Sequence, residues 1–155
     1  MKRTLLVASH LLVGGIGFAL GIYALPILIQ PQSPSMQVVE RVTNNALFTA
    51  SFQRDRQDSD FLHWGEGSVS ISEHNIAFVG TLAPGPDYKL YLSPIYIETE
   101  VDFNKHKSKM IQIGDIDTFD RFTLPLPPEL ELTNYNTVIV WCETFGQFIT
   151  SARFK

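Results

Sequence analysis

An uncharged apolar run near the N-terminus constrains this chain more than any other feature. Leu5 to Ile29 contains no charged residue, and about 20 apolar residues are enough for a helix to cross the hydrocarbon core of a bilayer. Lys2 and Arg3 precede the run, and the next charged residue is Glu40. The positive-inside rule then places the N-terminus in the cytoplasm. The sequence therefore predicts a single-pass anchor over residues 1–29 in the cell membrane, with the lipid bilayer as a partner and the C-terminal domain outside the cytoplasm.

A cleaved signal peptide is the alternative interpretation of this run. The apolar region of a signal peptide is about 7–15 residues long and is followed by a small-x-small cleavage site. Here the run is longer, and it ends through Leu25-Pro26-Ile27-Leu28-Ile29, which has no small residue. We therefore expect the mature protein to keep its anchor.

The rest of the chain is acidic and has the composition of a folded domain. From residue 30 onward, ten Lys and Arg stand against sixteen Asp and Glu, a net charge of −6. An acidic domain without a basic block argues against a nucleic-acid partner. The segment is rich in Phe, Val, Ile, Leu and Tyr, so it can bury a core of its own.

Residues 30–46 are predicted to be a linker that includes a short helix. The stretch 30–35 contains two prolines and no bulky apolar residue, which is typical of a connecting segment. Between Met36 and Phe48 the apolar residues fall near helical spacing, and Ser35 is a suitable N-cap. A second short helix is predicted from Thr99 to Lys107, because Thr99 and Asp102 have the spacing of a capping box.

From residue 47 to 155 the pattern indicates β-strands. Residues 68–72, 76–80 and 88–92 are strand candidates, with Glu73-His74-Asn75 as one turn and 84–87 as another. We expect the turn 84–87 to be a rigid connection; the alternative is that it lines, with Tyr88 and Tyr91, a pocket beside the strand that holds Cys142. The segment Thr137–Cys142 is apolar on both faces, so we expect both of its faces to be covered. The fold class that follows is all-β: an antiparallel β-sandwich or compact barrel with one or two short helices, preceded by the transmembrane helix.

The chain lacks the short motifs of most enzymes. There is no C-x-x-C or C-x-x-C-H, no H-E-x-x-H, no Gly-rich phosphate loop and no G-x-S-x-G. Hydrolase functions therefore have no motif to support them, and we do not expect a turnover enzyme. The strand pattern places Cys142, the single cysteine, on the same face as Val138 and Val140. A lone cysteine in an apolar strand is usually a small buried hydrophobic residue, so a structural role stays open.

Three segments resemble a known family. They are Leu-Ala-Pro-Gly-Pro-Asp-Tyr-Lys-Leu-Tyr-Leu-Ser at 82–93, Ile-Gly-Asp at 113–115 and Tyr-Asn-Thr-Val-Ile-Val-Trp-Cys-Glu-Thr-Phe-Gly at 135–146. Together they resemble the DM-thirteen domain, also called the electron-transfer DM domain, in its bacterial single-pass membrane form. The resemblance covers about residues 47–155.

The resemblance implies a β-rich fold and a redox role at the cysteine that matches Cys142. That cysteine would act as a bare thiol or as a ligand to a cofactor such as haem. In the haem case, His63 or Met110 would be the candidate on the opposite side of the iron, and a redox protein would be the partner. The alternative function is a non-catalytic surface binding or adhesion module in which the cysteine is structural and no cofactor is held.

Overall fold

The computed structural model describes residues 2–155, and it begins with one long helix. Helix α1 runs over Lys2–Ile29 and contains Pro26 close to its C-terminal end. It is the one helix among the described residues that is long and apolar enough, by length and composition, to cross a membrane. Pro26 is the only residue of α1 that is fully buried, against the domain that follows.

Eight antiparallel strands form two four-stranded sheets. The strands are β1 (Phe48–Phe52), β2 (Gly65–Ile71), β3 (Asn75–Leu82), β4 (Tyr88–Ser93), β5 (Ile111–Ile116), β6 (Arg121–Pro125), β7 (Thr137–Cys142) and β8 (Gln147–Arg153). The first sheet has the order β1-β2-β3-β6 and the second the order β5-β4-β7-β8. The predicted all-β antiparallel fold is confirmed as a sandwich.

The core lies between the two sheets and follows from strand alternation. Val69 and Ile71 of β2 point inward and are fully buried against Leu90 of β4 and Val140 of β7. Side chains that alternate on a strand lie on opposite faces of the sheet, so the inward set of each strand is apolar. All the residues of β7 are buried, as the two-faced apolar pattern of that segment predicts.

Two short helices cover the outer faces of the sheets. Helix α2 (Met36–Asn44) packs Val39 and Val42 against Ala77 of the first sheet. Helix α3 (Glu100–His106) packs Phe103 against Trp141 on the outer face of the second sheet. Its N-cap is the predicted one, since the Thr99 hydroxyl accepts a hydrogen bond from the Asp102 backbone N–H at 3.1 Å.

The helix predicted between Met36 and Phe48 is present but shorter. It ends at Asn44, where Asn45 leaves the helical conformation, and Phe48 instead begins β1 opposite Ile71. The prediction was wrong at this end because pairing with a strand some twenty residues away overrides local helical spacing.

Candidate functional site

A cavity of about 440 Å³ lies where α1 meets one end of the sandwich. We call it the Cys142 cavity. One wall comes from α1, another from the turn before β4, and the rest from the segment before β2 and the C-terminal end of β7. Its lining residues are Ala19, Leu20, Ile22, Tyr23, Leu62, His63, Pro84, Gly85, Pro86, Tyr88, Cys142 and Phe145.

Cys142 is the last residue of β7 and faces inward, in the same cluster as Val138 and Val140. Its exposed fraction is 2%. Burial raises the pKa of the thiol because the charged thiolate is poorly solvated there, and the nearby Asp87 carboxylate raises it further. Backbone N–H groups, first that of Phe145, lower the pKa by a smaller amount. The net effect holds Cys142 as a neutral thiol.

Tyr88 is the cross-strand partner of Cys142 and is equally buried. The two residues are opposite each other on β4 and β7, and Tyr88 is 2% exposed. Its hydroxyl has no hydrogen-bond partner among residues 2–155; the phenol ring lies against Gly85 and edge-on to Phe119. Burial, and then the charge that Cys142 can carry, raise the pKa of the phenol well above its ordinary value. Tyr88 is therefore a neutral donor in the cavity wall.

His63 is oriented by the neighbouring carboxylate. Its Nδ1 lies 3.0 Å from both Oδ1 and Oδ2 of Asp60, so the ring proton is assigned to Nδ1 and Nε2 is left to other partners. Burial raises the pKa of Asp60, but hydrogen bonds from the His63 side chain and from the backbone N–H groups of Leu62 and His63 together lower it below its ordinary value. Asp60 thus remains ionised and holds the His63 ring in place.

Glu143 follows Cys142 but lies on the other side of the sheet. Its carboxylate accepts a hydrogen bond from the Tyr91 hydroxyl and two from Lys107 Nζ, both at 2.7 Å. This acidic residue is paired and turned away from the cavity, so it does not place a charge beside the thiol.

The structure brings two of the three candidate site residues together. Cys142 and His63 line the same cavity. Met110 instead packs in the cluster around Trp141, on the outer face of the second sheet. The turn 84–87 and Tyr88 line the same cavity, as the alternative interpretation of that turn predicts, whereas Tyr91 lies in the cluster on the outer face. The sequence did not supply the register that sets Tyr88 opposite Cys142.

The cavity does not suit a metal ion or a haem. Among residues 2–155 there is no group of three His, Cys, Asp or Glu side chains that could hold a metal. A haem-ligating cysteine is a thiolate, and burial by itself disfavours that form of Cys142. Among the described residues, the cavity lining also includes no Lys or Arg that could pair with the two carboxylate groups of haem. The lining therefore offers haem no charge partners.

A protein-family comparison identifies the domain. The model described as electron transfer DM13 matches residues 38–154. The chain belongs to the electron transfer DM13 family. The match begins inside α2 and ends at the close of β8, so the DM13 domain includes the whole sandwich together with Tyr88, His63 and Cys142. No curated protein and no solved structure matches the chain.

Proposed function

We propose that this protein is a membrane-anchored electron-transfer protein whose DM13 domain lies outside the cytoplasm and works at the Cys142 cavity. The observation that carries the proposal is the cavity itself, in which the cysteine of the family-like block 135–146 lies beside Tyr88 and His63. The family description of electron transfer supports the redox character.

The length of α1 supports anchoring. Its 28 residues correspond to about 42 Å of helix, and the hydrocarbon core of a bilayer needs about 30 Å. A span over residues 4–23 meets that length, with Lys2 and Arg3 at the cytoplasmic end and Tyr23 at the outer interface, where aromatic residues favour the headgroup region. The mass of the protein extracted from membranes tests this point: we expect the intact N-terminal segment, and a chain that starts near Gln30 would contradict anchoring.

Electron transfer at this site would leave the covalent structure of the chain unchanged. A redox group in the cavity would take an electron from a donor protein and pass it to an acceptor protein, with no bond made or broken in the domain. Cys142 would act as a neutral thiol against that group and adjust its reduction potential through contact and hydrogen bonding. A bare reactive thiolate is disfavoured here because burial raises the thiol pKa.

A surface binding module is the second candidate function. The observation that favours it is the near-complete burial of Cys142 in the same cluster as Val138 and Val140. In that case the cysteine would only fill the core, and the exposed surface of the domain would bind its partner.

An oxidised-minus-reduced spectrum separates the two functions. The full-length protein would be purified in detergent from its native membranes and compared with the Cys142→Ser variant. Electron transfer predicts a bound redox-active group whose midpoint potential changes in the variant. A protein without such a group, together with a Cys142→Ser variant that fully complements a deletion strain, would leave the binding module as the function.

A further inference from the structure

In the proposed anchoring, the Cys142 cavity lies at the level of the outer membrane interface. Its α1 wall is formed by Ala19, Leu20, Ile22 and Tyr23. These residues are the last of the proposed 20-residue span, which ends about 30 Å from its start. A cavity with this wall is reached sideways from the lipid, so a molecule dissolved in the bilayer can enter it without crossing water.

Apolar side chains surround the cavity on the domain side. Leu62 and Phe145 line it, yet they remain 46% and 50% exposed, and Phe61 beside Leu62 is 86% exposed. Three large exposed apolar residues grouped on one end of a domain mark a contact with a partner or a membrane. Their position beside α1 indicates that this end of the domain rests in the lipid interface.

The lining of the cavity carries no full charge. Among the described residues that line it there is no Asp, Glu, Lys or Arg, and His63 is the only basic side chain. A phosphate or carboxylate headgroup would therefore lose its hydration without gaining an ionic partner. The cavity selects a neutral molecule with a large apolar part.

The polar groups of the cavity are few and are available to a ligand. The Tyr88 hydroxyl, in a side chain that is 98% buried, has no partner among residues 2–155. None of the buried side-chain polar atoms of the described residues lacks a partner, so this unpaired hydroxyl is open to the cavity, where the carbonyl oxygen of a ligand can accept its hydrogen bond. His63 offers Nε2, because its Nδ1 is held by Asp60.

We propose that the Cys142 cavity binds a membrane-dissolved quinone, with one quinone carbonyl accepting a hydrogen bond from the Tyr88 hydroxyl. A quinone combines an uncharged ring, an apolar tail and two carbonyl acceptors, which matches the uncharged lining and the unpartnered Tyr88 hydroxyl. The apolar tail would leave the cavity between α1 and the exposed Phe61, Leu62 and Phe145 side chains. The inference rests on the proposed function, since it names the redox molecule that the site would hold.

Binding of a decyl-substituted benzoquinone tests the proposal. The full-length protein would be placed in nanodiscs of phosphatidylethanolamine and phosphatidylglycerol, and the quinone titrated against its tryptophan fluorescence, with empty nanodiscs to correct for partitioning. We expect saturable binding that Tyr88→Phe weakens by about five- to tenfold, the loss of one neutral hydrogen bond. Tyr135→Phe, which removes a tyrosine hydroxyl outside this cavity, should bind as the natural protein does.

Tyr88→Phe removes no hydrogen bond within residues 2–155, so the variant should fold, and its melting temperature in the same nanodiscs checks this. Equal affinity of Tyr88→Phe and the natural protein would overturn the proposal, as would equally tight binding of decanol. A redox group other than a quinone, such as a haem with a Soret band, would overturn this inference and leave the proposed electron transfer in place. Saturable quinone binding without any electron exchange would support this inference and overturn the proposed electron transfer.

Discussion

Tyr88 and Cys142 are paired across β4 and β7, and both side chains reach the cavity that α1 closes. The two residues belong to different family-like blocks, 82–93 and 135–146, which are about fifty residues apart in the chain. The register of the second sheet makes these two blocks parts of one site. Substitutions in either block should therefore affect the same cavity.

Gly85→Ala should disturb the cavity through Tyr88. A Cβ atom at position 85 would clash with the ring and hydroxyl of Tyr88, so the ring would have to shift towards the cavity that it lines. We expect a loss of about 1–3 kcal/mol in the free energy of unfolding, the usual cost of overpacking, together with a smaller cavity. Thermal denaturation of the full-length protein in detergent measures the first effect.

Gly114→Ala is the matched control for that experiment. A Cβ there would lie 3.3 Å from Cδ2 of Leu124, a flexible side-chain end that can shift by a few tenths of an ångström. The variant should therefore be much less destabilised. Equal stability of Gly85→Ala and the natural protein would mean that the Tyr88 ring is not held against the turn before β4.

Cys142 should be almost inert to a thiol reagent in the folded protein. Its 2% exposure blocks access, and burial raises its pKa above the ordinary value of 9.0, so the reactive thiolate is scarce at neutral pH. We expect slow maleimide labelling of the native protein, at a rate that still rises with pH beyond 9.0, where that of an ordinary thiol levels off, and complete labelling after denaturation. Native labelling at the rate of a small free thiol would contradict the inward orientation of the side chain.

Local sequence patterns predicted the strands that have one apolar face in the core. They did not predict β1, whose place is set by its pairing with another strand. Val69 and Ile71 alternate with serines and lie in the core as predicted. The β1 segment, Phe-Thr-Ala-Ser-Phe, also alternates apolar and polar residues, but it was missed beside the helix expected up to Phe48, and its register comes from the ladder with β2. Such pairing depends on a distant partner that a local window does not contain.

The sequence likewise predicted only part of the candidate site. Residue type and the family resemblance pointed to Cys142 and His63, and both line the cavity. Tyr88 entered only through the alternative interpretation of the turn 84–87, and the α1 wall was not predicted, because the place of residues 19–23 beside the cavity depends on how the helix lies against the folded domain. Met110 shares the sheet with Cys142 but lies on its other face, which sequence spacing alone did not reveal.

Phe103→Ala should strongly destabilise the second sheet from its outer side. The Phe103 ring is stacked on Trp141 with centroids 3.8 Å apart and meets Tyr91 edge-on at 5.1 Å. It is fully buried, so its removal should lower the free energy of unfolding by about 3–5 kcal/mol. Val101→Ala, at an exposed position of the same helix, should change stability by less than about 0.5 kcal/mol. A small effect of Phe103→Ala in denaturant titration would show that α3 is not needed to cover this sheet.

Glu143→Gln should reduce the loss of stability at acidic pH. Burial raises the pKa of Glu143, but hydrogen bonds from Lys107 and Tyr91 lower it more, so its value in the folded protein falls below the ordinary 4.5. The stabilisation from the ionised carboxylate is therefore complete above pH 4.5 and is lost as the pH falls through the lower, folded-state value. At neutral pH the variant should be less stable by about 1 kcal/mol, since the pair is partly exposed. Melting temperatures between about pH 7 and about pH 3 should show this difference shrinking with acid.

Glu129→Gln is the control, because Glu129 is exposed and has no ion pair among residues 2–155. This variant should keep the pH dependence of the natural protein. A Glu143→Gln profile that also matches the natural protein would mean that the Glu143–Lys107 pair does not stabilise the fold.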